Sequence, residues 1–108
     1  MNKIIAIMLM YFGVHSLAYA GKDDCEEKYH RGYPVTLKQC SYSDGGSGYY
    51  VITNTGSSRA RICWAINSSD GHCDTLDAGD TSKGSCFYCG NKNHNGDFIL
   101  SLKSYDLK

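Results

Sequence analysis

Cys86-Phe87-Tyr88-Cys89 sets two thiols three positions apart, the spacing at which a dithiol can cycle against its own disulfide. In an oxidoreductase the first thiol of such a pair is activated at a helix start within a βαβ unit. Here Gly84-Ser85 precede the pair, Gly90 follows it, and no helical or βαβ pattern surrounds it. Exchange chemistry through Cys86 and Cys89 therefore ranks behind structural use of both sulfurs. A bridge within so short a loop is geometrically demanding, so the two cysteines are expected to reach different partners. Of the many pairings that six cysteines allow, the expected set joins Cys25 to Cys40 and gives Cys63 and Cys73 one each of Cys86 and Cys89.

Three other groupings bear on metal chemistry. Cys63, Cys73, Cys86 and Cys89, with His72 and His94 nearby, carry zinc-type donors but lack the second close pair that marks a zinc motif. Asn91, Asn93 and Asn95-Gly96 mimic the opening of a calcium loop. Their donors are neutral amides, however, and Leu102 stands where the closing glutamate belongs, so the match fails where affinity is decided. Asp70, Asp74, Asp77 and Asp80 recur across predicted turns, which turn chemistry explains. No metal or cofactor is expected.

Hydrolysis needs a nucleophile with its base, or two carboxylates across a cleft. His30, His72 and His94 stand in polar or turn contexts, and a small domain has little room for a deep pocket. The chain is therefore expected to have no catalytic residues. What remains is recognition. Tyr42, Tyr49, Tyr50, Phe87 and Tyr88 lie in or beside segments rich in Gly, Ser, Asn and Asp, the mixture of rigid aromatic and adaptable polar contacts found on binding surfaces. The expected function is a small exported binding protein directed at a protein partner, as an inhibitor or an immunity-type neutraliser. A carbohydrate-binding module is the alternative, since aromatics and amides also hold sugars, and a thiol–disulfide oxidoreductase stands third.

The elements that position these residues follow from the 108-residue chain. Lys3 leads an apolar run from Ile4 to Leu17, and Ala18-Tyr19-Ala20 has the small-x-small form of a cleavage site. Residues 1–20 therefore read as a signal peptide, the run being short of the roughly 20 residues that span a membrane. Export to a periplasm or to the extracellular space follows, with no retained anchor. All six cysteines lie in residues 21–108, and an even count in a short exported chain is a disulfide framework. Three such bridges, at about 2 to 4 kcal/mol each, would together be comparable to the net stability of a small domain. The chain has 11 basic and 11 acidic residues, and Lys3 leaves with the leader. The remaining charge, near minus one, offers no footprint for nucleic acid.

Beyond the leader, Asp24 to His30 is expected to form one short N-terminal helix capped by Asp23 and ended by Gly32-Tyr33-Pro34. Val35 to Cys40 alternates as a strand. Ser41 to Gly48 is a loop, and Tyr49 to Thr53 and Arg59 to Ile66 are expected to pair as an antiparallel hairpin around Asn54-Thr55-Gly56-Ser57. Asp70-Gly71 centres the next turn, and Asn67-Ser68-Ser69 has the form of a glycosylation sequon. Short strands follow from Cys73 to Leu76 and from Thr81 to Tyr88, and Gly90 to Asp97 is a loop. Asp97 to Ser104 alternates again, with Phe98, Leu100 and Leu102 directed at Ile62 and Trp64. Short strands separated by glycine-rich turns define a mainly all-β domain over residues 21–108, a small antiparallel sandwich or barrel stapled by about three disulfides.

Overall fold

Strand-forming alternation at Gly48–Asn54 and in the Leu100–Leu107 segment, with apolar residues through Ala60–Ile66, sets the inner faces of the fold. The structure, a computed structural model, describes residues 23–67 and 70–108; the expected leader over residues 1–20, and Ser68 and Ser69 of the sequon, lie outside them. Seven strands run β1 (Asp24–Tyr29), β2 (Val35–Ser41), β3 (Gly48–Asn54), β4 (Ala60–Ile66), β5 (Asp70–Leu76), β6 (Thr81–Cys86) and β7 (Leu100–Leu107). A 3-10 turn at Phe87–Cys89 and one short helix, α1 (Asn91–His94), lie between β6 and β7. Two antiparallel sheets result, one ordered β1-β2-β3-β6 and the other β5-β4-β7.

The sheets meet face to face. Val35, Leu37, Tyr50 and Ile52 from one and Ala60, Ile62, Trp64, Ile66 and Leu76 from the other form one buried cluster, which Leu100 joins. Ile52 and Ile62 are wholly excluded from solvent, and each such side chain contributes about 1.5 to 3 kcal/mol. The Tyr50 ring meets Trp64 edge-on at 5.6 Å. Gly84, opposite Tyr50 on β6, leaves the space that the phenol fills: a Cβ there would stand 2.6 Å from Tyr50 Cζ.

This arrangement corrects the expected β3–β4 hairpin. β3 pairs with β2 and β6, and β4 with β5 and β7. Two strands that each carry one apolar face bury more by stacking Tyr50 and Ile52 on Trp64 and Ile62 than by lying side by side with both faces on one surface. Residues 55–59 cross between the layers, and Asn54 fixes the crossing. Its Nδ2 donates to the carbonyls of Ser58 (2.9 Å) and Leu76 (3.0 Å), while its Oδ1 accepts from the Gly56 amide and the Tyr105 hydroxyl, both at 3.0 Å.

The expected N-terminal helix is a strand. β1 matches all six of its residues to β2, with Cys25 opposite Cys40, and this pairing overrides the weak local preference of an acidic segment for a helix start. Cys25–Cys40 is a disulfide, as expected. The other two bridges correct the expected pairing. Cys63 bonds Cys73 because the β4–β5 register sets them opposite one another. Cys86 bonds Cys89 across the 3-10 turn. Asp70 and Gly71 already belong to β5, so the turn before it falls at Asn67, whose φ of 56° is left-handed. The loop expected over residues 90–97 contains α1.

In β7 the register slips between Cys63 and Trp64 of β4, so Ser104 and Leu102 oppose successive residues and Lys103 bulges. That bulge switches the inward side from Leu100 and Leu102 to Tyr105, bringing the Tyr105 hydroxyl to Asn54.

Candidate aromatic binding surface

Two loops far apart in sequence converge at one end of the sheets. Ser41, at the end of β2, donates its hydroxyl to the Cys89 carbonyl (3.3 Å) and accepts from the Asn91 amide (2.9 Å). The Lys92 amide reaches the Gly45 carbonyl at 2.9 Å. Asn93 Nδ2 donates to the carbonyls of Phe87, at 2.9 Å, and Gly46. Residues 42–47 and 87–94 are therefore one laced unit. Gly90 lies against Gly46 so closely that a Cβ would come within 2.8 Å of its carbonyl.

From this unit three aromatic side chains project into solvent: Tyr42 is 44% exposed, Phe87 63% and Tyr88 51%. Phe87 and Tyr88 meet edge-to-face at 5.5 Å, on a turn closed by the Cys86–Cys89 bridge. Tyr49, half-buried on the outer face of β3, lies 5.2 Å from the Tyr42 ring and carries the Lys83 ammonium 4.5 Å above its own. The fifth candidate, Tyr50, is corrected. It is 7% exposed and belongs to the core, because adjacent strand residues point to opposite faces and Tyr49 takes the outer one.

The Tyr49 hydroxyl donates to Asp23 Oδ2 at 3.0 Å. Burial disfavours its phenolate, and the Asp23 hydrogen bond, the Asp23 charge and Tyr42 add to this, raising its pKa above the ordinary value of 10.0. The folded state thus holds this proton more tightly than the unfolded chain. The resulting stabilisation is complete below the unfolded value and is lost as pH rises through the folded one. Asp23→Ala is expected to lower the titration midpoint of the Tyr49 ring carbons, followed by NMR; an unmoved midpoint would remove Asp23 from this site.

The remaining candidates take structural positions. Asn91 Nδ2 donates to Asp24 Oδ2 at 2.9 Å, and Asn95, with φ 57°, ends α1 in the left-handed region. Asn91 and Asn93 use their Nδ2 groups in hydrogen bonds that hold α1 and the 3-10 turn to β1 and to the 42–47 loop. Asp77 forms an ion pair with Arg59 at 3.6 Å, and Asp74 Oδ1 accepts from the Thr75 amide. His72 stacks on Trp64 at 6.1 Å. Cys86 and Cys89 are 3% and 1% exposed.

A second aromatic group was not foreseen from the sequence. Tyr33 stacks on Tyr105 at 5.7 Å with His30 5.5 Å away, and Tyr29 is 80% exposed. The β1–β2 turn and the β7 bulge bring Tyr33, Tyr105 and His30 together; Gly32-Tyr33-Pro34 marks the turn in the sequence, but no local pattern announces the bulge.

Comparison with protein-family models, with curated proteins and with solved structures finds no match to this chain. Among the described residues no helix is long and apolar enough to cross a membrane. Its three closed disulfides belong to an oxidising environment.

Proposed function

We propose that this protein is an exported binding module, without chemistry of its own, that recognises a protein partner through Tyr42, Phe87 and Tyr88. An inhibitor or an immunity-type neutraliser working in the cell envelope or outside the cell is the form this takes. The carrying observation is that three exposed aromatics stand on one loop unit held by a disulfide and by side-chain bonds to backbone carbonyls. Such anchors lose little conformational freedom on binding, which is what aromatic contacts at protein interfaces exploit. Removal of residues 1–20 as a leader fits the oxidised cysteines.

The glycan reading ranks second: Asn91 and Asn93 already spend Nδ2 donors on Asp24 and on the Phe87 carbonyl, which leaves fewer to meet sugar hydroxyls. Exchange through Cys86 and Cys89 ranks last, because both residues are shielded from an attacking thiolate.

The test is recovery of a defined partner from envelope extracts and culture medium on the immobilised, oxidised protein. The Tyr42→Ala/Phe87→Ala/Tyr88→Ala variant and a glycan array run alongside. The expected result is one protein retained by the parent and reduced about a hundredfold with the variant, at unchanged circular dichroism. Equal retention by both would remove this surface, and saturable glycan binding without a protein would replace the reading with the carbohydrate one.

A further inference from the structure

β1 is an edge strand, and all six of its residues are exposed. Its Cys25 lies opposite Cys40 with Cα atoms 4.0 Å apart, the narrow spacing of a pair that does not exchange backbone hydrogen bonds. The ladder to β2 is therefore carried by Asp24, Glu26 and Lys28. It continues at His30, whose amide donates to the Val35 carbonyl at 3.1 Å. The N–H and C=O groups of Cys25, Glu27 and Tyr29 point the other way, to the open side.

β1 also belongs to the wider sheet, of four strands against three. Two separate hollows lie along β1. The first, of about 400 Å3, lies beside Asp24, Glu26 and Gln39; the second, of about 350 Å3, lies beside Lys28, Phe98 and Leu102. A strand added to β1 would send alternate side chains toward these hollows.

We infer that the free edge of β1 docks an extended, lysine- or arginine-bearing segment of another protein by strand addition. Backbone groups at Cys25, Glu27 and Tyr29 would supply the hydrogen bonds. The charge of the first hollow selects the occupant. Asp24 and Glu26 line it, and among the described residues neither forms an ion pair; Asp24 Oδ2 accepts from Asn91 Nδ2, a neutral donor that leaves the carboxylate charge in place. Lys28, the third residue on that side, places its ammonium 4.7 Å over the Phe98 ring. An incoming cation would sit over the two carboxylates while an apolar side chain further along the same face enters the second hollow, beside Phe98 and Leu102.

The test adds an acetylated peptide of alternating lysine and valine to the oxidised protein and follows amide exchange by NMR. An alternating glutamate–valine peptide serves as the control. Protection of the Cys25, Glu27 and Tyr29 amides is expected to rise about tenfold or more at saturation with the lysine peptide alone. Glu26→Lys should weaken that peptide about tenfold. Glu27→Pro, which deletes an amide that does not serve β2, should abolish protection. Protection elsewhere, equal protection by the acidic peptide, or concentration-dependent protection without peptide would overturn the inference, the last by making a second copy the occupant. If Glu27→Pro fails to fold, Glu26→Lys decides. The Tyr42/Phe87/Tyr88 alanine variant should keep peptide binding, so this edge and the aromatic surface fail or stand separately.

Discussion

Full reduction is expected to unfold the protein. Its bridges close short loops, with sequence separations of 15, 10 and 3 residues. By the chain-entropy relation they stabilise the folded state by roughly 7 kcal/mol together. A small domain holds about 5 to 15 kcal/mol in total, so the reduced chain at 37 °C should lie largely on the unfolded side. Melting followed by near-ultraviolet circular dichroism, with and without excess dithiothreitol, reads this directly. A transition unmoved by reductant would mean that the two sheets hold themselves together, and the disulfide framework would lose its explanatory place. Bridge by bridge, Cys25→Ser/Cys40→Ser should act most locally. β1 is exposed along its whole length and bonded only to β2, so its amides should exchange sooner while the core transition persists.

Asn54→Ala should be the most damaging single substitution of a polar residue. The side chain is wholly buried and makes four hydrogen bonds that join β3, the 55–59 crossing, β5 and β7. Truncation strands the Leu76 carbonyl and the Tyr105 hydroxyl, with an expected loss of about 3 to 4 kcal/mol. At about 4 to 8 °C per kcal/mol for a domain of this size, the melting temperature should fall by about 15 °C or more. Asn54→Asp sharpens the test because it keeps the shape. Aspartate still accepts from Gly56 and Tyr105 but turns an oxygen toward two carbonyls, so its penalty should be larger at neutral pH than in acid, where a protonated carboxyl can donate one of the lost bonds. Urea midpoints at the two pH values measure the difference. A loss below about 1 kcal/mol for the alanine variant would show that the crossing is fixed by packing alone.

Much of the exposed aromatic surface was legible locally. Tyr42, Phe87 and Tyr88 flank or occupy glycine-rich segments, and the structure leaves all three exposed. Tyr49 and Tyr50 could not both face outward, since neighbours on a strand alternate; only the packing of Tyr50 on Trp64 and against Gly84 decides which turns in. The β1 edge was hidden. Acids at residues 23–27 suit a helix start, and the pairing that makes them a strand is supplied by β2.

Alternation and an even cysteine count, both properties of the chain read one residue after another, determined that this protein is a β structure with oxidised sulfurs. They also gave the inward face of β4, at Ile62 and Trp64, and of β7 as far as its bulge. Only the tertiary structure decided which strands are neighbours: β3 with β6 rather than β4, Cys63 with Cys73, Cys86 with Cys89. The physical reason is that ladder hydrogen bonds are nearly the same whichever strand supplies them. Partner choice is settled by which apolar faces bury each other and by side chains such as Asn54 that bind several strands at once.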